Sequence, residues 1–144
     1  MRVQQISVFL ENKPGTLKKL TSVMAKNKID LRATSLAETK DFGIARIIVD
    51  DAISAVTTLK DNDFVASLTS VLAVEIPDET GGLDKLLDVF AEAEVNIEYM
   101  YAFPGKGTSN QAYMILRVAD TKAAEARLTG KGLKLLSQED IANL

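Results

Sequence analysis

The stretch ISVFLENKPGTLKKLTSVMAKNKIDL, residues 6–31, combines two hydrophobic periods that together indicate how the fold begins. In its first part Ile6, Val8 and Leu10 alternate with polar or outward-facing residues, which is the period of a half-buried strand. After the turn-like NKPGTL, apolar residues recur with the spacing of one helix face. These are Leu17, Leu20, Val23 and Met24. The stretch therefore predicts a strand, a glycine-containing turn and an amphipathic helix.

The chain contains this pattern twice. LAVEIPDETGGLDKLLDVFAEAEVNI, residues 72–97, matches the first stretch when the sequence is displaced by 66 positions. The coinciding pairs include Val8 and Val74, Leu10 and Ile76, Gly15 and Gly81, Leu17 and Leu83, Leu20 and Leu86, and Leu31 and Ile97. The register then slips by three residues, because the second copy has a longer loop, FPGKGTSN, at residues 103–110. Such ordered self-similarity indicates an internal repeat.

Each copy continues with the same predicted elements. Two strands joined by a turn are expected at residues 31–38 and 44–49, and again at 97–103 and 112–118. Asp50 or Asp51, and Asp120, stand where an N-cap would begin a second helix. A short last strand is expected near residues 65–69 and near 134–136, and SQEDIANL resembles a terminal helical turn.

The order β, α, β, β, α, β therefore occurs twice, which is the split βαβ plan. We expect an α+β protein of two ferredoxin-like units, each an antiparallel sheet covered by helices on one face. The predicted domains are residues 1–70 and 71–144. Because units of this size have thin cores, we expect them to pack on each other and the protein to form a homodimer.

The residue types that are missing exclude several kinds of function. The 144 residues include no cysteine and no histidine, so the commonest general base and the commonest metal ligands are absent. A net charge of −3 and the absence of tryptophan argue against a nucleic-acid partner. No apolar span reaches the length of a membrane helix, so we expect no membrane partner and a cytoplasmic location. We expect no cofactor, no metal and no catalytic residues.

The residues also carry a family resemblance. VFLENKPGTLKKLTSVMAKNKIDL, followed by a hairpin and ARIIVDD, closely resembles the ACT domain, a small regulatory module that binds amino acids. VEIPDETGGLDKLLDVFAEAEVNIEYMYAF and then YMILRVAD resemble a second one, so the chain is similar to stand-alone tandem ACT proteins of bacteria. The resemblance implies a non-catalytic regulator that senses a free amino acid where ACT units meet. It would control self-association or a partner enzyme of amino-acid metabolism.

The resemblance places the ligand at the loop between the first strand and first helix, completed by a neighbouring unit. Physical chemistry supports that placement, because unpaired amides at a helix N-terminus favour an α-carboxylate and glycine permits close backbone approach. Asn12 and Asp78 could bind the α-ammonium group. The candidate ligand-binding residues of the first copy are Asn12, Lys13, Pro14, Gly15, Thr16, Leu17, Asp30, Leu31 and Ser35. Those of the second copy are Asp78, Thr80, Gly81, Gly82, Leu83, Asn96, Ile97, Tyr99 and Tyr101.

The two loops are not equivalent. DETGGL lacks the proline of NKPGTL and has a second glycine, so the two sites are expected to differ in affinity. The glycines have a second interpretation, in which they only turn the chain and begin the helix.

EYMYAF, residues 98–103, predicts a seam between the repeats. Tyr99, Tyr101 and Phe103 lie on one strand face, whereas the aligned residues of the first copy are small. Those small residues are Ala33, Ser35 and Ala37. We hypothesise that the repeats meet pseudo-symmetrically, with a ligand in the seam, while Phe103 serves core packing.

Other interpretations remain open at this point. An acylphosphatase-like enzyme can use the same plan, but its loop would need an arginine, and here it offers only Asn12 and Lys13. A structural regulatory subunit that binds no ligand is the other alternative. We interpret the acidic pairs Asp50–Asp51 and Asp61–Asp63 as a helix cap and a solvated turn rather than a metal site. KGTSN, residues 106–110, is expected to be a mobile surface loop that could close over a ligand.

Overall fold

The computed structural model describes residues 2–105 and 110–144 of the chain. Six strands and five helices are formed within the described residues. They are β1 (Val3–Glu11), α1 (Thr16–Lys26), β2 (Ala33–Glu38), β3 (Phe42–Ile48), α2 (Ala52–Asp61), β4 (Val65–Pro77), α3 (Gly82–Glu92), β5 (Tyr99–Phe103), β6 (Gln111–Arg117), α4 (Thr121–Gly130) and α5 (Gln138–Ala142).

The chain divides into two compact units. We call Gln4–Thr69 the first unit, and Ser70–Leu144 together with residues 2 and 3 the second unit. The boundary falls inside β4, so the part of this strand up to Thr69 belongs to the first unit and the part from Ser70 belongs to the second. The predicted α+β plan of two ferredoxin-like units is confirmed.

The sheet of the first unit has the strand order β2-β3-β1-β4. β1 and β3 pair antiparallel with Ile6 opposite Ile47, and a hydroxyl contact of 3.2 Å joins Ser7 to Thr69 of β4. One sheet face packs under α1 and α2. The buried core there comprises Ile6, Val8, Leu10, Leu20, Met24, Ala45, Ile47, Val49, Ala52, Ala55, Val56, Leu59 and Ala66. Alternation along β1 thus places its apolar side chains beneath the helices.

The second unit repeats this arrangement with the order β4-β6-β5 and an equivalent core. Its predicted last strand at residues 134–136 is wrong as a strand, because only an isolated bridge between Val74 and Leu135 forms. The reason lies in the residues that follow. Ser137 is the N-cap of α5 and forms a reciprocal capping box with Asp140, so the chain turns into a helix at once. These hydrogen bonds from Ser137 also hold the pKa of Asp140 below its usual value.

The second helix of each unit begins at an aspartate, as the sequence predicted. Asp51 accepts a hydrogen bond from the amide of Ser54 at 3.1 Å, and Asp120 accepts one from the amide of Ala123 at 3.0 Å. Asp50 has a different role: its carboxylate binds the guanidinium of Arg32 at 2.8 Å and raises the pKa of that arginine. Within residues 2–105 and 110–144 no group of three or more acidic side chains is placed to hold a metal.

None of the helices in the described part of the chain is long and apolar enough to cross a membrane.

The predicted apolar stripe of α1 is correct except at its first residue. Leu20 and Met24 are each 1% exposed, whereas Leu17 is 40% exposed and is not part of the core. Leu17 lies in the first turn of α1, beside the loop that joins β1 to the helix. Its side chain is therefore available to another molecule.

Leu20→Ala and Leu17→Ala should have very different effects on stability. Removing the buried Leu20 side chain leaves a cavity and should lower the free energy of unfolding by about 2–5 kcal/mol. Removing the exposed Leu17 side chain should change it by about 0.5 kcal/mol or less. Urea unfolding followed by circular dichroism measures both, and equal losses would contradict the assignment of Leu17 to the surface.

Candidate ligand-binding site

The loop between β1 and α1 leaves the first amides of the helix without acceptors. Gly15 precedes α1 with φ 91°, a left-handed conformation, and provides no side-chain cap. Thr16 does not cap the helix either, because its hydroxyl donates to the carbonyls of Glu11 at 2.8 Å and Lys13 at 3.1 Å. Within the described part of the molecule, the backbone amides of Leu17 and Lys18 have no hydrogen-bond acceptor. They lie at the positive end of the helix dipole.

Asn12 fixes a carboxylate beside this loop. Its side-chain amide donates to Glu38 at 3.0 Å and to the carbonyl of Thr39 at 3.3 Å. The backbone amide of Asn12 also donates to the carbonyl of Asp41 at 3.0 Å. Because the amide nitrogen of Asn12 faces Glu38, the carboxylate of Glu38 is better suited than Asn12 itself to accept hydrogen bonds from an ammonium group.

These groups line a groove of about 290 Å³ that we call the α1 groove. Its lining residues are Leu10, Glu11, Asn12, Lys13, Thr16, Leu17, Leu36, Glu38 and Gly43. Leu17 and Leu36, 40% and 56% exposed, provide apolar walls. A Cβ atom at Gly43 would lie 3.5 Å from the side chain of Leu36, which is an ordinary van der Waals contact. The groove combines apolar walls, the carboxylate of Glu38, the ion pair of Glu11 with Lys13, and the start of α1.

Charge at the helix start also favours an anion. The first turn of α1 holds no acidic residue and includes Lys18. Lys13, by contrast, is paired with Glu11 at 2.8 Å, and this contact raises the pKa of Lys13 and lowers that of Glu11. Both side chains of that pair are exposed, so the pair contributes little to stability.

The equivalent loop of the second unit packs more tightly against the start of its helix. Gly81 repeats the left-handed conformation with φ 85°, but Gly82 replaces Thr16 and is buried. A Cβ atom at Gly82 would lie 2.4 Å from the carbonyl oxygen of Pro77, so the backbone occupies the space where the Thr16 side chain lies in the first unit. The first turn of α3 also carries Asp84, at the position of Lys18, so this helix start has a negative side chain where α1 has a positive one.

Three further positions around this loop hold different residue types in the two units. The repeat places Pro104 at the position of Glu38 and Ala112 at that of Gly43, although Asp78 replaces Asn12 and restores a carboxylate. A cavity of about 400 Å³ remains there. It is lined by Asp78, Ala102, Phe103, Pro104, Gly105, Gln111 and Ala112. The loop expected to close over a ligand lies for the most part, at residues 106–109, outside the described residues.

Comparison of the sequence with models of known protein families identifies the family of this chain. A model of the ACT domain pair matches residues 1–144. The chain belongs to the ACT domain pair family. The resemblance inferred from the two loops is thereby confirmed.

Solved structures agree with this assignment. Protein BT0572 from Bacteroides thetaiotaomicron is 39% identical, with a TM-score of 0.90 over 100% of this chain and 98% of that one. The ligand-free regulatory subunit of aspartate kinase from Thermus thermophilus is 18% identical, with a TM-score of 0.64 over 90% of each chain. The corresponding subunit from Thermus flavus is 19% identical, with a TM-score of 0.61 over 88% of each chain. At these identities the two kinase subunits show the shared ACT fold alone. No curated protein matches the sequence significantly.

Three other predicted residues of the first unit, Asp30, Leu31 and Ser35, do not line the α1 groove. Asp30 lies at the opposite end of the unit, where it lines a cavity of about 240 Å³ with Asp50 and Asp51. Leu31 packs against the core, and Ser35 is partly buried on β2 opposite Arg46. Of the predicted set in this unit, the structure brings Asn12, Lys13, Thr16 and Leu17 together in the groove, with Pro14 and Gly15 completing the loop.

The second ACT unit shows a similar separation. Thr80, Gly81, Gly82 and Leu83 form the β4–α3 turn and the start of α3, while Ile97 packs against the core and Asn96 is exposed in the preceding loop. Tyr99 and Tyr101 are partly buried on β5, and the seam proposed for them stays a prediction. Phe103 is 5% exposed and its ring lies 5.3 Å from that of Tyr113, so its predicted packing role is confirmed.

Sequence reasoning missed Leu36, Glu38 and Gly43. A signal was present, because alternation along the hairpin places Leu36 and Glu38 on one strand face, the face that carries Gly43 on β3. The resemblance directed attention to the glycine loop instead. Only the register of β2 against β3 identifies the residues opposite that loop.

Gly82→Ala should destabilise the protein, whereas Gly130→Ala should not. The alanine Cβ at position 82 would collide with the Pro77 carbonyl, and we expect a loss of about 1–3 kcal/mol. Position 130 ends α4, and, apart from its chain neighbours and the nearby backbone of α4, no atom lies within 4 Å of the place that a Cβ would take there. Alanine at 130 should therefore be neutral or stabilising by about 0.5–1 kcal/mol. Chemical denaturation measures both variants. A neutral Gly82→Ala would contradict the close approach of Gly82 to the Pro77 carbonyl.

Proposed function

We propose that this protein is a non-catalytic regulator that binds a free amino acid in the α1 groove of its first ACT unit. Occupancy would control self-association or the activity of a partner enzyme. The observation that carries this proposal is the placement of free helix amides opposite a positioned carboxylate, with exposed leucines between them.

The α-carboxylate would bind the amides of Leu17 and Lys18. Two unpaired N–H groups, together with the positive end of the helix dipole, suit the binding of one anionic group. The positive charge of Lys18 in the same turn adds to that field, and no acidic side chain opposes it there.

The α-ammonium group would bind Glu38. Asn12 holds this carboxylate in place through a 3.0 Å hydrogen bond, so less side-chain freedom is lost when the ligand binds. The ligand side chain would then lie along Leu17 and Leu36.

Regulation would follow from the position of the groove. Leu36 and Glu38 belong to β2, which is the edge strand of the first unit's sheet. A ligand held at this edge would also contact a neighbouring chain, and would therefore favour the associated state that it binds best. We propose a homodimer as that state. The fold shared with a regulatory subunit of aspartate kinase supports an enzyme of amino-acid metabolism as the partner class.

An acylphosphatase-like activity is less compatible with the loop. The amide nitrogen of Asn12 is directed to Glu38 and the ammonium group of Lys13 to Glu11. Neither group is directed toward a free phosphoryl position.

Thermal-shift measurements against the proteinogenic amino acids test the proposal. A ligand at a hundred times its dissociation constant should stabilise the protein by about 2.7 kcal/mol. Glu38→Gln should raise the dissociation constant of that ligand about tenfold or more, because a charge-assisted hydrogen bond is lost. The control is Glu92→Gln on the exposed surface of α3. This variant should bind the amino acid with unchanged affinity. No shift from any amino acid at millimolar concentration would contradict the proposal.

Reversing the charges of the two helix starts tests which unit holds the ligand. Lys18→Asp places a carboxylate at the free amides, so it should stabilise α1 by about 0.3–1 kcal/mol and weaken ligand binding. Asp84→Lys makes the reciprocal change in α3 and should leave the affinity unchanged. Isothermal titration calorimetry distinguishes the two variants. A change of affinity in Asp84→Lys, with none in Lys18→Asp, would place the site in the second unit.

A further inference from the structure

The first helices of the two units carry opposite charges at equivalent positions. When the repeats are aligned by the displacement of 66 residues, three lysines of the first copy coincide with three acidic residues of the second, and a serine coincides with an aspartate. The pairs are Lys18 and Asp84, Ser22 and Asp88, Lys26 and Glu92, and Lys28 and Glu94. The second helices, α2 and α4, contain no position at which the charge changes sign between the copies. The reversal therefore belongs to α1, α3 and the turn after each.

Six of these residues form two stripes of equal length. Residues four apart lie on one side of a helix, so positions 18, 22 and 26 follow one line along α1 and positions 84, 88 and 92 follow the equivalent line along α3. We call the first line, Lys18, Ser22 and Lys26, the basic stripe, and the second, Asp84, Asp88 and Glu92, the acidic stripe. All six residues are exposed. With a rise of about 1.5 Å per residue each stripe is about 12 Å long, so the two match in length.

The charges of both stripes are unpaired inside the chain. Within residues 2–105 and 110–144, none of the six side chains takes part in an ion pair. Lys85, the lysine of α3, binds Glu79 at 3.6 Å and does not neutralise the acidic stripe. Like charges four residues apart repel each other, and Glu92 stands in the last turn of α3, where the helix dipole disfavours a carboxylate. The stability of α3 therefore does not explain the acidic stripe.

We propose that two copies of the chain associate through these surfaces, with the basic stripe of each copy against the acidic stripe of the other. In a two-fold dimer this contact occurs twice, so both stripes of both copies are used. With the two helices antiparallel, Lys18 faces Glu92 at one end. Lys26 faces Asp84 at the other end, and residues 22 and 88 meet between them. Like-charge repulsion disfavours contacts between two basic or two acidic stripes, so the stripes also select the pairing of unlike units.

Association should occur without an amino acid and should weaken with salt. The proposal rests on the homodimer of the proposed function, but the stripes require no ligand. Because salt screens exposed charges, raising sodium chloride from about 0.05 M to about 0.5 M should raise the dimer dissociation constant about tenfold or more. Sedimentation equilibrium of the full chain measures this constant. A chain that stays monomeric at low salt up to millimolar concentration, or a dimer that salt does not weaken, would overturn the proposal.

Two charge reversals test the pairing at one end of the stripes. Lys26→Glu or Asp84→Lys alone places like charges at both contacts of its own dimer, and each should raise the dimer dissociation constant about tenfold or more. Mixed in equal amounts, the two variants should form a heterodimer. One of its contacts then has the original pair, and the other has the same pair reversed. Native mass spectrometry of the mixture measures the heterodimer against the two homodimers.

Lys60→Glu is the matched control. It makes the same charge change in the exposed last turn of α2, outside both stripes, and should leave the dimer dissociation constant unchanged. If Lys60→Glu weakens association as much as Lys26→Glu, or if the mixed variants form no excess of heterodimer, the stripes do not make the contact and the proposal is wrong.

Amino-acid binding is a separate readout. Neither Lys26 nor any residue of the acidic stripe lines the α1 groove, so changes there should preserve the amino-acid affinity when the protein is concentrated enough to be dimeric. A chain that dimerises through the stripes but binds no amino acid would contradict the proposed function and support this proposal. A chain that binds an amino acid but does not dimerise would overturn this proposal and leave the amino-acid site standing.

Discussion

The backbone at Gly15 is the constraint on which the candidate site of this protein depends. Its left-handed conformation starts α1 without a side-chain cap, and Thr16 uses its hydroxyl to hold the loop carbonyls. The amides of Leu17 and Lys18 are therefore left exposed and unpaired within the described structure. The free amides of such a helix start can bind water or an anion, and no acidic side chain of the first turn of α1 competes for them.

The core of the first unit decides what faces those amides. Ile6, Val8 and Leu10 lie beneath the helices, which fixes the register of β1 against β3 and places Gly43 opposite Leu10. That register brings the end of β2, with Glu38, to the side of the loop. Packing in the core and the position of Glu38 at the surface are thus connected through the pairing of three strands. In the second unit the same plan persists, but Gly82 lies against Pro77 and Asp84 occupies the helix start.

Much of the fold could be predicted from the sequence, because the relevant signals are local. Alternation in β1, the apolar spacing of α1 and the aspartate caps of α2 and α4 each depend on near neighbours. Leu17 was assigned to the buried stripe because periodicity cannot tell that the first helical turn lies beside a loop instead of over the sheet. Residues 134–136 were predicted as a strand by analogy with the first copy, but whether they pair with β4 depends on tertiary structure, and only Leu135 forms a bridge, with Val74. Glu38 was missed because its proximity to Asn12 depends on tertiary structure, at a sequence separation of 26 residues.

Whether the uncapped start of α1 holds the ligand is tested most directly by an amide chemical-shift titration of the full chain with the amino acid that stabilises it most. Binding in the α1 groove predicts saturable shifts of the Leu17 and Lys18 amides and much smaller shifts of the equivalent Leu83 and Asp84 amides. Saturable shifts at Leu83 and Asp84 with none at Leu17 and Lys18 would contradict it.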